Sequence, residues 1–245
     1  MTTRLAGKTA LVTGGATGIG QAIAIALAGE GCRVAIAGRR EDKLREAAAA
    51  WQATPPILTH TVDVSDRASV AELFHWADQN LGHVDILVNG AGINTPKRMM
   101  ADMPPETWDE VMAINATGAY NCIHAVLPQM RSRKDGLIIN INSISGQRAS
   151  LLGGVAYAAS KFAMTALGTA VALEEGKNGI RVTSICPGEV DTPLLGRRPV
   201  PVSAENLARI LQPKDVADAV LMVACLPPRA HVYELIIKPT FQDFC

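Results

Sequence analysis

The sequence predicts a doubly wound α/β fold, a three-layer α/β/α arrangement with about seven parallel strands. Three observations predict it. Short apolar runs alternate with amphipathic stretches along the chain, as successive strand–helix–strand units require. Apolar residues make up 48% of the sequence but aromatics only 4%, so the core must be built from small aliphatic side chains, which suits helices packed closely on a parallel sheet. A glycine-rich segment, residues 13–20, lies directly between the first apolar run and the first helical pattern.

Taken in order, residues 8–13 form strand one, and a helix follows over 18–30 with Ile19, Ile23 and Leu27 on one face. Residues 33–37 are strand two, stopped by Gly38, and the Ala- and charge-rich stretch 41–51 is the next helix. Strand three spans 58–62, a helix 70–80, and strand four 85–89. A helix around 107–112 leads on toward Met130. Strand five is 137–142, a long helix runs over 155–175, and strand six is 181–186. Residues 192–211 are interrupted by Pro193, Pro199 and Pro201 and lack alternation, which predicts a loop or lid. A helix over 213–225 and a strand over 234–238 complete the pattern. With no linker, repeat or break in composition, residues 1–245 are expected to form one domain.

The bulk numbers exclude several functions. Acidic and basic residues balance at 23 each, so no long-range field favours nucleic acid or an anionic membrane. The partner is expected to be a small molecule. Cys32, Cys122, Cys186, Cys225 and Cys245 show no metal or redox spacing, and the histidines are scattered, so no structural metal is expected. Free thiols, the lack of a signal-peptide pattern and the lack of an apolar run of membrane-spanning length predict a cytoplasmic protein.

Residues 13–20 read Thr13-Gly14-Gly15-Ala16-Thr17-Gly18-Ile19-Gly20. Gly14 permits a sharp turn, while Gly18 and Gly20 let backbone approach a pyrophosphate and the helix pack on the sheet. The helix start offers free N–H groups and a partial positive charge to phosphate. Glycines alone often mark only a turn, but the strand before and the helix after supply the context this motif needs.

The spacing Thr-Gly-x-x-x-Gly-x-Gly resembles the short-chain dehydrogenase/reductase family. Other marks of that Rossmann-like family follow in order. Asp63-Val64 ends strand three, where the resemblance implies an Asp bonding the adenine amino group. Asn89-Gly90-Ala91-Gly92 closes strand four and resembles the family's Asn-Asn-Ala-Gly, with Gly90 departing at its second position. Ile114-Asn115-Ala116-Thr117-Gly118 resembles the segment whose Asn holds a proton-relaying water through its main chain. Pro187-Gly188-Glu189-Val190-Asp191-Thr192 matches the segment along the nicotinamide, with Val190 N–H and the Thr192 hydroxyl implied at the carboxamide.

At the end of strand two, an NAD enzyme places an acid for the ribose 2′-hydroxyl. This chain has Gly38-Arg39-Arg40 instead. A 2′-phosphate calls for a cation that grips with parallel hydrogen bonds, and Gly38 removes the crowding side chain. NADP(H) is therefore expected over NAD(H), with Arg39 as the clamp. Family members often carry a second basic residue just before Gly18, where Thr17 stands here with only a hydroxyl.

Tyr157-Ala158-Ala159-Ser160-Lys161 puts a phenol and an ammonium four residues apart on one helix face. Carbonyl reduction needs a proton delivered to oxygen, and a tyrosine with a reference pKa near 10 can serve if a cation lowers it toward the working pH. Lys161 and an oxidised nicotinamide are the expected cations. Such pairs also occur by chance on exposed helices, so position must decide. Ser143, in Ser143-Ile144-Ser145-Gly146, closes strand five at the sheet edge where ligands bind, fourteen residues before Tyr157. Ser145 lies twelve before it; the Ser-x-x-Gly match favours Ser143. Asn115, Ser143, Tyr157 and Lys161 are thus the expected catalytic set.

Other residues have plainer readings. Asp85 and the pair Asp109-Glu110 are expected to be solvated or capping groups. Met99, Met100 and Met103 line either a substrate mouth or the core. Specificity is expected from residues 94–103, 147–154 and 189–211, with Leu151 and Leu152 as an apolar wall and Arg148, Arg197 or Arg198 as binders of an acid group. The resemblance implies a homodimer or homotetramer. An NAD-dependent alcohol dehydrogenase and a dinucleotide-binding regulator without turnover are the competing readings; the latter does not need the four catalytic residues.

Overall fold

The computed structural model describes residues 3–243, so Cys245 lies outside them. Seven strands are found: β1 (Thr9–Thr13), β2 (Arg33–Gly38), β3 (Leu58–Thr61), β4 (Ile86–Asn89), β5 (Gly136–Ile141), β6 (Ile180–Pro187) and β7 (Glu234–Ile237). They form one sheet in the order β3-β2-β1-β4-β5-β6-β7. Every pairing is parallel, with Leu11 opposite Ala35 on one side and Leu87 on the other. Strand order reverses between β1 and β4, which makes their carboxyl ends the place where an open sheet parts to admit a ligand.

Eight α-helices accompany the sheet: α1 (Gly18–Gly29), α2 (Glu41–Ala49), α3 (Arg67–Leu81), α4 (Pro105–Met112), α5 (Gly118–Arg133), α6 (Val155–Glu175), α7 (Ala204–Leu207) and α8 (Pro213–Ala224). Successive strand side chains point to opposite faces, and the two cores follow that alternation. Leu11, Leu87, Ile138 and Val182 meet Leu73, Val111, Ile123 and Val171 from α3, α4, α5 and α6. Their strand neighbours Val12, Val88, Ile139 and Ile185 meet Ile23, Leu44 and Val220 from α1, α2 and α8. Because both faces are covered, the central strands carry apolar runs such as 86–88 and 137–139, whose side chains face both ways.

The structure departs from the sequence expectations where local polar chemistry acts. Helix α3 starts at Arg67 rather than Val70, because the Asp66 carboxylate accepts from Ala68 N at 2.9 Å and caps it. The helix expected to run on toward Met130 is divided by a π-helical turn, Ala113–Thr117. Residues 192–211 contain a 3₁₀ turn, Pro193–Arg197, and the single turn α7. Asp85 is not solvated: it is 6% exposed and accepts from Thr9 N at 2.9 Å and from its hydroxyl at 3.2 Å.

The expectation that no apolar run reaches membrane-spanning length is corrected as well. Within the helical stretch Val155–Asn178 an 18-residue window reaches a mean hydropathy of 1.2, which by length and composition alone is enough for a span. Its apolarity has another cause. It packs against the sheet, with Ala156, Met164, Val171 and Ala172 buried, and it also buries Ser160, Lys161 and Glu175 with their polar partners. Four cysteines, Cys32, Cys122, Cys186 and Cys225, are free thiols, and burial pushes the first two up to about 12.

Leu87, fully buried on the strand beside β1, tests this core. Leu87→Ala is expected to lower the unfolding free energy by about 2–5 kcal/mol, measured by urea denaturation.

Candidate active site

Loops leaving the carboxyl ends of β1 to β5 converge on a cavity of about 470 Å³. Gly14, Thr17, Gly18, Ile19 and Gly20 line one wall; Gly38, Arg39 and Arg40 with Asp63 and Val64 line the end; Ala91, Gly92, Tyr157, Lys161 and Thr192 line the remainder. A second pocket of about 150 Å³ adjoins it, lined by Asn94, Arg98, Ser143, Leu152, Pro187, Gly188, Glu189, Val190 and Arg198. Tyr157 and Thr192 belong to both linings. The phenol therefore stands where the two cavities meet.

The glycine loop is closed for steric reasons. A Cβ on Gly20 would fall 2.3 Å from the Gly14 carbonyl oxygen, and Gly14 itself has φ +67. Only glycine lets α1 begin this close to the β1 turn. Thr17 occupies the N-cap position of α1, yet its hydroxyl makes no capping hydrogen bond. Thr17, Gly18, Ile19 and Gly20, which open α1, line the larger cavity, and a helix start carries unpaired N–H groups and a partial positive charge. This donor set fits a pyrophosphate.

At the far end Arg39 and Arg40 are exposed and form no ion pair among the described residues. Asp63 is held below the usual carboxylate range, chiefly by the Ser65 hydroxyl at 2.6 Å, with Arg39 adding a smaller charge effect. Asp63 thus stays an acceptor, as an adenine amino group would require.

Around Tyr157 the elements are tied by buried polar bonds. The Asn115 amide spans two elements: its Oδ1 accepts from Ile93 N at 2.8 Å, and its Nδ2 donates to Ile93 O at 2.9 Å and Ser160 Oγ at 3.0 Å. A π-helical turn, which widens the backbone and recurs at functional sites, brings it there. Asn115 is 0% exposed and lies on neither cavity wall. Lys161 Nζ donates to Ile141 O at 2.9 Å and sits 5.6 Å from the centre of the Tyr157 ring.

Ser143 begins the 3₁₀ turn Ile144–Gly146, its Oγ accepts from Ser145 N at 3.1 Å, and its side chain shares the smaller pocket with Tyr157 and lowers that phenol's pKa. Ser143 and Ser145 both line the smaller pocket with Tyr157, and of the two it is Ser143 that acts on the phenol's acidity.

The electrostatics differ from the sequence expectation. Burial is the largest effect on Tyr157 and pushes its pKa up; the Ser143 hydrogen bond and the Arg98 charge oppose it. Lys161 does not supply that downward pull. Burial lowers the ammonium itself to about 8.

Several other expected residues fall elsewhere. Asn89 is buried below the cavity, donating to Asn140 Oδ1 at 2.9 Å, and lines neither cavity. Pro187, Gly188 and Val190 line the smaller pocket rather than the larger one. None of Met99, Met100 or Met103 lines either cavity, because the first two point to solvent and Met103 packs against the core. Arg148 and Leu151 are also absent from both walls, while Leu152 is present. The expected specificity segment 94–103 contains Arg98 without singling it out, and Asn142 was expected only as a strand residue; both line the smaller pocket. No pattern marks either one: each is a polar residue in a loop whose direction only the folded chain sets.

Two measurements test this geometry. Gly20→Ala is expected to weaken dinucleotide binding at least about tenfold, read by quenching of protein fluorescence, because Cβ displaces the Gly14 turn. The second uses the depressed Lys161. Between pH 8 and 10 the unfolded lysine holds a proton that the folded one has lost, so stability rises with pH across that window. Lys161→Met is expected to remove this rise from urea-denaturation curves; an unchanged slope would contradict a buried ammonium.

A family model described as short chain dehydrogenase matches residues 8–199. An uncharacterized oxidoreductase of Staphylococcus saprophyticus is 37% identical over 234 residues, covering 95% of this chain and 97% of that protein. Among solved structures, a metagenomic short-chain oxidoreductase in complex with NADP aligns at a TM-score of 0.83 and 31% identity, covering 98% of this chain and 100% of that one. A serine dehydrogenase complexed with NADP⁺ aligns at 0.88 and 29%, covering 96% of each chain. A glycine loop, a seven-stranded parallel sheet and a family match over most of the length agree: the chain belongs to the short-chain dehydrogenase/reductase family of oxidoreductases.

Proposed function

We propose that this protein moves hydride between NADP(H) and a small carbonyl or alcohol, with Tyr157 as the general acid and base. The observation that carries the reading is the position of Tyr157 on the shared wall of the two cavities, with Ser143 on one side and Lys161 on the other. The larger cavity fits the dinucleotide, and the smaller one fits the substrate.

The α1 N-terminus and Thr17 would hold the pyrophosphate, Asp63 and Val64 the adenine, and Val190 and Thr192 the carboxamide. Arg39, supported by Arg40, would pair with a 2′-phosphate, and no carboxylate at the end of β2 repels it. When bound, the dinucleotide supplies or accepts the hydride. The chain supplies the proton chemistry. Ser143 donates to the substrate oxygen and steadies its developing charge. The Tyr157 phenol passes a proton to that oxygen during reduction and takes it back during oxidation.

Burial alone leaves the phenol too weak an acid, and the positive charge of an oxidised nicotinamide held beside Tyr157 and Lys161 would lower its pKa in the direction of alcohol oxidation. Lys161, steered by Ile141 O, is placed to hand a proton onward through water near Asn115. The protein is read as a cytoplasmic, single-domain homodimer or homotetramer.

Kinetics with NADPH and a panel of small carbonyls test this function. Tyr157→Phe is expected to lower kcat/KM by about a hundred- to ten-thousand-fold while NADPH binding stays normal. Turnover equal to wild type in that variant would overturn the assignment. Arg39→Ser is expected to weaken NADPH about ten- to a hundredfold and to leave NADH within a few-fold, measured by fluorescence titration.

A further inference from the structure

Three charged side chains line the smaller pocket: Arg98, Glu189 and Arg198. Two of them cancel, since Arg198 Nη2 lies 3.1 Å from Glu189 Oε2 and both side chains are largely buried. Arg98 does not cancel. It is 7% exposed and meets neutral oxygens only. Its Nε donates to Thr95 O at 2.7 Å, its Nη1 to Leu152 O, and its Nη2 to Arg197 O at 3.1 Å.

Those three carbonyls come from the three loops around the pocket, so the guanidinium plane is fixed in place. Carbonyl dipoles solvate a cation but do not neutralise it, and a buried charge without a counter-charge is costly. No carboxylate pairs with Arg98 among the described residues. A guanidinium carries five N–H groups, and these bonds use three. The two that remain belong to a side chain on the pocket wall that also carries Tyr157 and Ser143.

We infer that the substrate is a small keto or hydroxy acid whose carboxylate pairs with Arg98 while its reacting oxygen rests on Tyr157 and Ser143. The inference rests on the hydride-transfer reading above and narrows it. It also moves acid recognition away from the arginines that sequence reading offered. Arg198 is already paired, Arg197 lines the larger cavity, and Arg148 lines neither. The pocket volume of about 150 Å³ holds a short chain rather than a fatty acyl or steroid skeleton. The charge and the reacting group must then lie only a few carbons apart.

The test compares 2-oxobutanoate and 3-oxobutanoate with their methyl esters, using wild-type chain and NADPH. At least one acid is expected to exceed its ester at least about tenfold in kcat/KM, since the ester cannot supply the missing charge. In Arg98→Met the acid is expected to lose about a hundredfold more kcat/KM than the ester, the excess appearing in KM, while a loss in kcat common to both reports the Arg98 charge acting on Tyr157 and NADPH affinity holds. Esters turned over as well as both acids by the wild type would overturn the inference, as would equal losses for acid and ester in the variant.

Should Arg98→Met not fold, inhibition of wild-type turnover of a neutral ketone by butanoate, against butanamide as control, decides instead. Butanoate alone inhibiting supports the inference, and equal effects overturn it. A chain that reduces no carbonyl at all would count against the hydride-transfer reading itself. Butanoate binding to the NADP⁺-mixed protein, read by thermal shift, then decides the anion site separately, and no shift beyond that of butanamide overturns it.

Discussion

All seven strands run in one direction, and from this constraint the rest of the molecule follows. Parallel strands cannot be joined by hairpins, so each connection crosses a face, usually as a helix, and every strand delivers its exit loop to the same edge. The glycine loop after β1, the arginines after β2, Asp63 after β3, Gly92 after β4, Ser143 after β5 and Thr192 after β6 come from distant parts of the sequence. They meet because each leaves the sheet on one side. The reversal of order between β1 and β4 opens the edge at its centre, and the Gly14 turn lies so near Gly90 that a Cβ on it would meet the Gly90 oxygen at 2.5 Å.

This is why the sheet and the loops at its open edge are legible in the sequence. Alternation of apolar runs with helical periods fixed the layers, and strand ends are the easiest boundaries to read, since polar or glycine residues interrupt the run. Gly14, Arg39, Asp63 and Ser143 all follow strand ends, and each lines a cavity at that edge. The Tyr157–Lys161 spacing is a helix-face argument and needs only that α6 is helical. Asn89 shows the limit. It also ends a strand, but a strand residue points to one face or the other, and this one turns down to Asn140.

What could not be read depends on contacts between loops. Arg98 sits in a long connection between β4 and α4, and its direction is set by carbonyls of residues 54 and 99 positions away in sequence. The same holds for the π-helical turn, which has no compositional sign of its own; Asn115 marks it only once Ile93 and Ser160 are seen to claim its amide. Asp85 was misplaced for the opposite reason. A charged residue before a strand is usually solvated, and here Thr9 and His83 bring it inside instead.

The electrostatic balance of the site joins these points. Two cations, Lys161 and Arg98, are buried near one phenol, and neither has a carboxylate partner among the described residues. Burial acts on them differently because their chemistry differs. A lysine relieves the cost by approaching neutrality, hence its drop to about 8, whereas a guanidinium keeps its proton far beyond that range. Lys161 can therefore exchange a proton near neutral pH, and Arg98 can serve only as a fixed charge. In the proposed reaction, a phenol whose own acidity is reduced by burial would draw on both: a nearby site that gives up and regains protons, and a permanent positive charge that favours the phenolate. An anionic substrate arriving at Arg98 would partly screen that charge from Tyr157. The phenol would then hold its proton more firmly with substrate bound, which suits it to act as an acid toward a ketone.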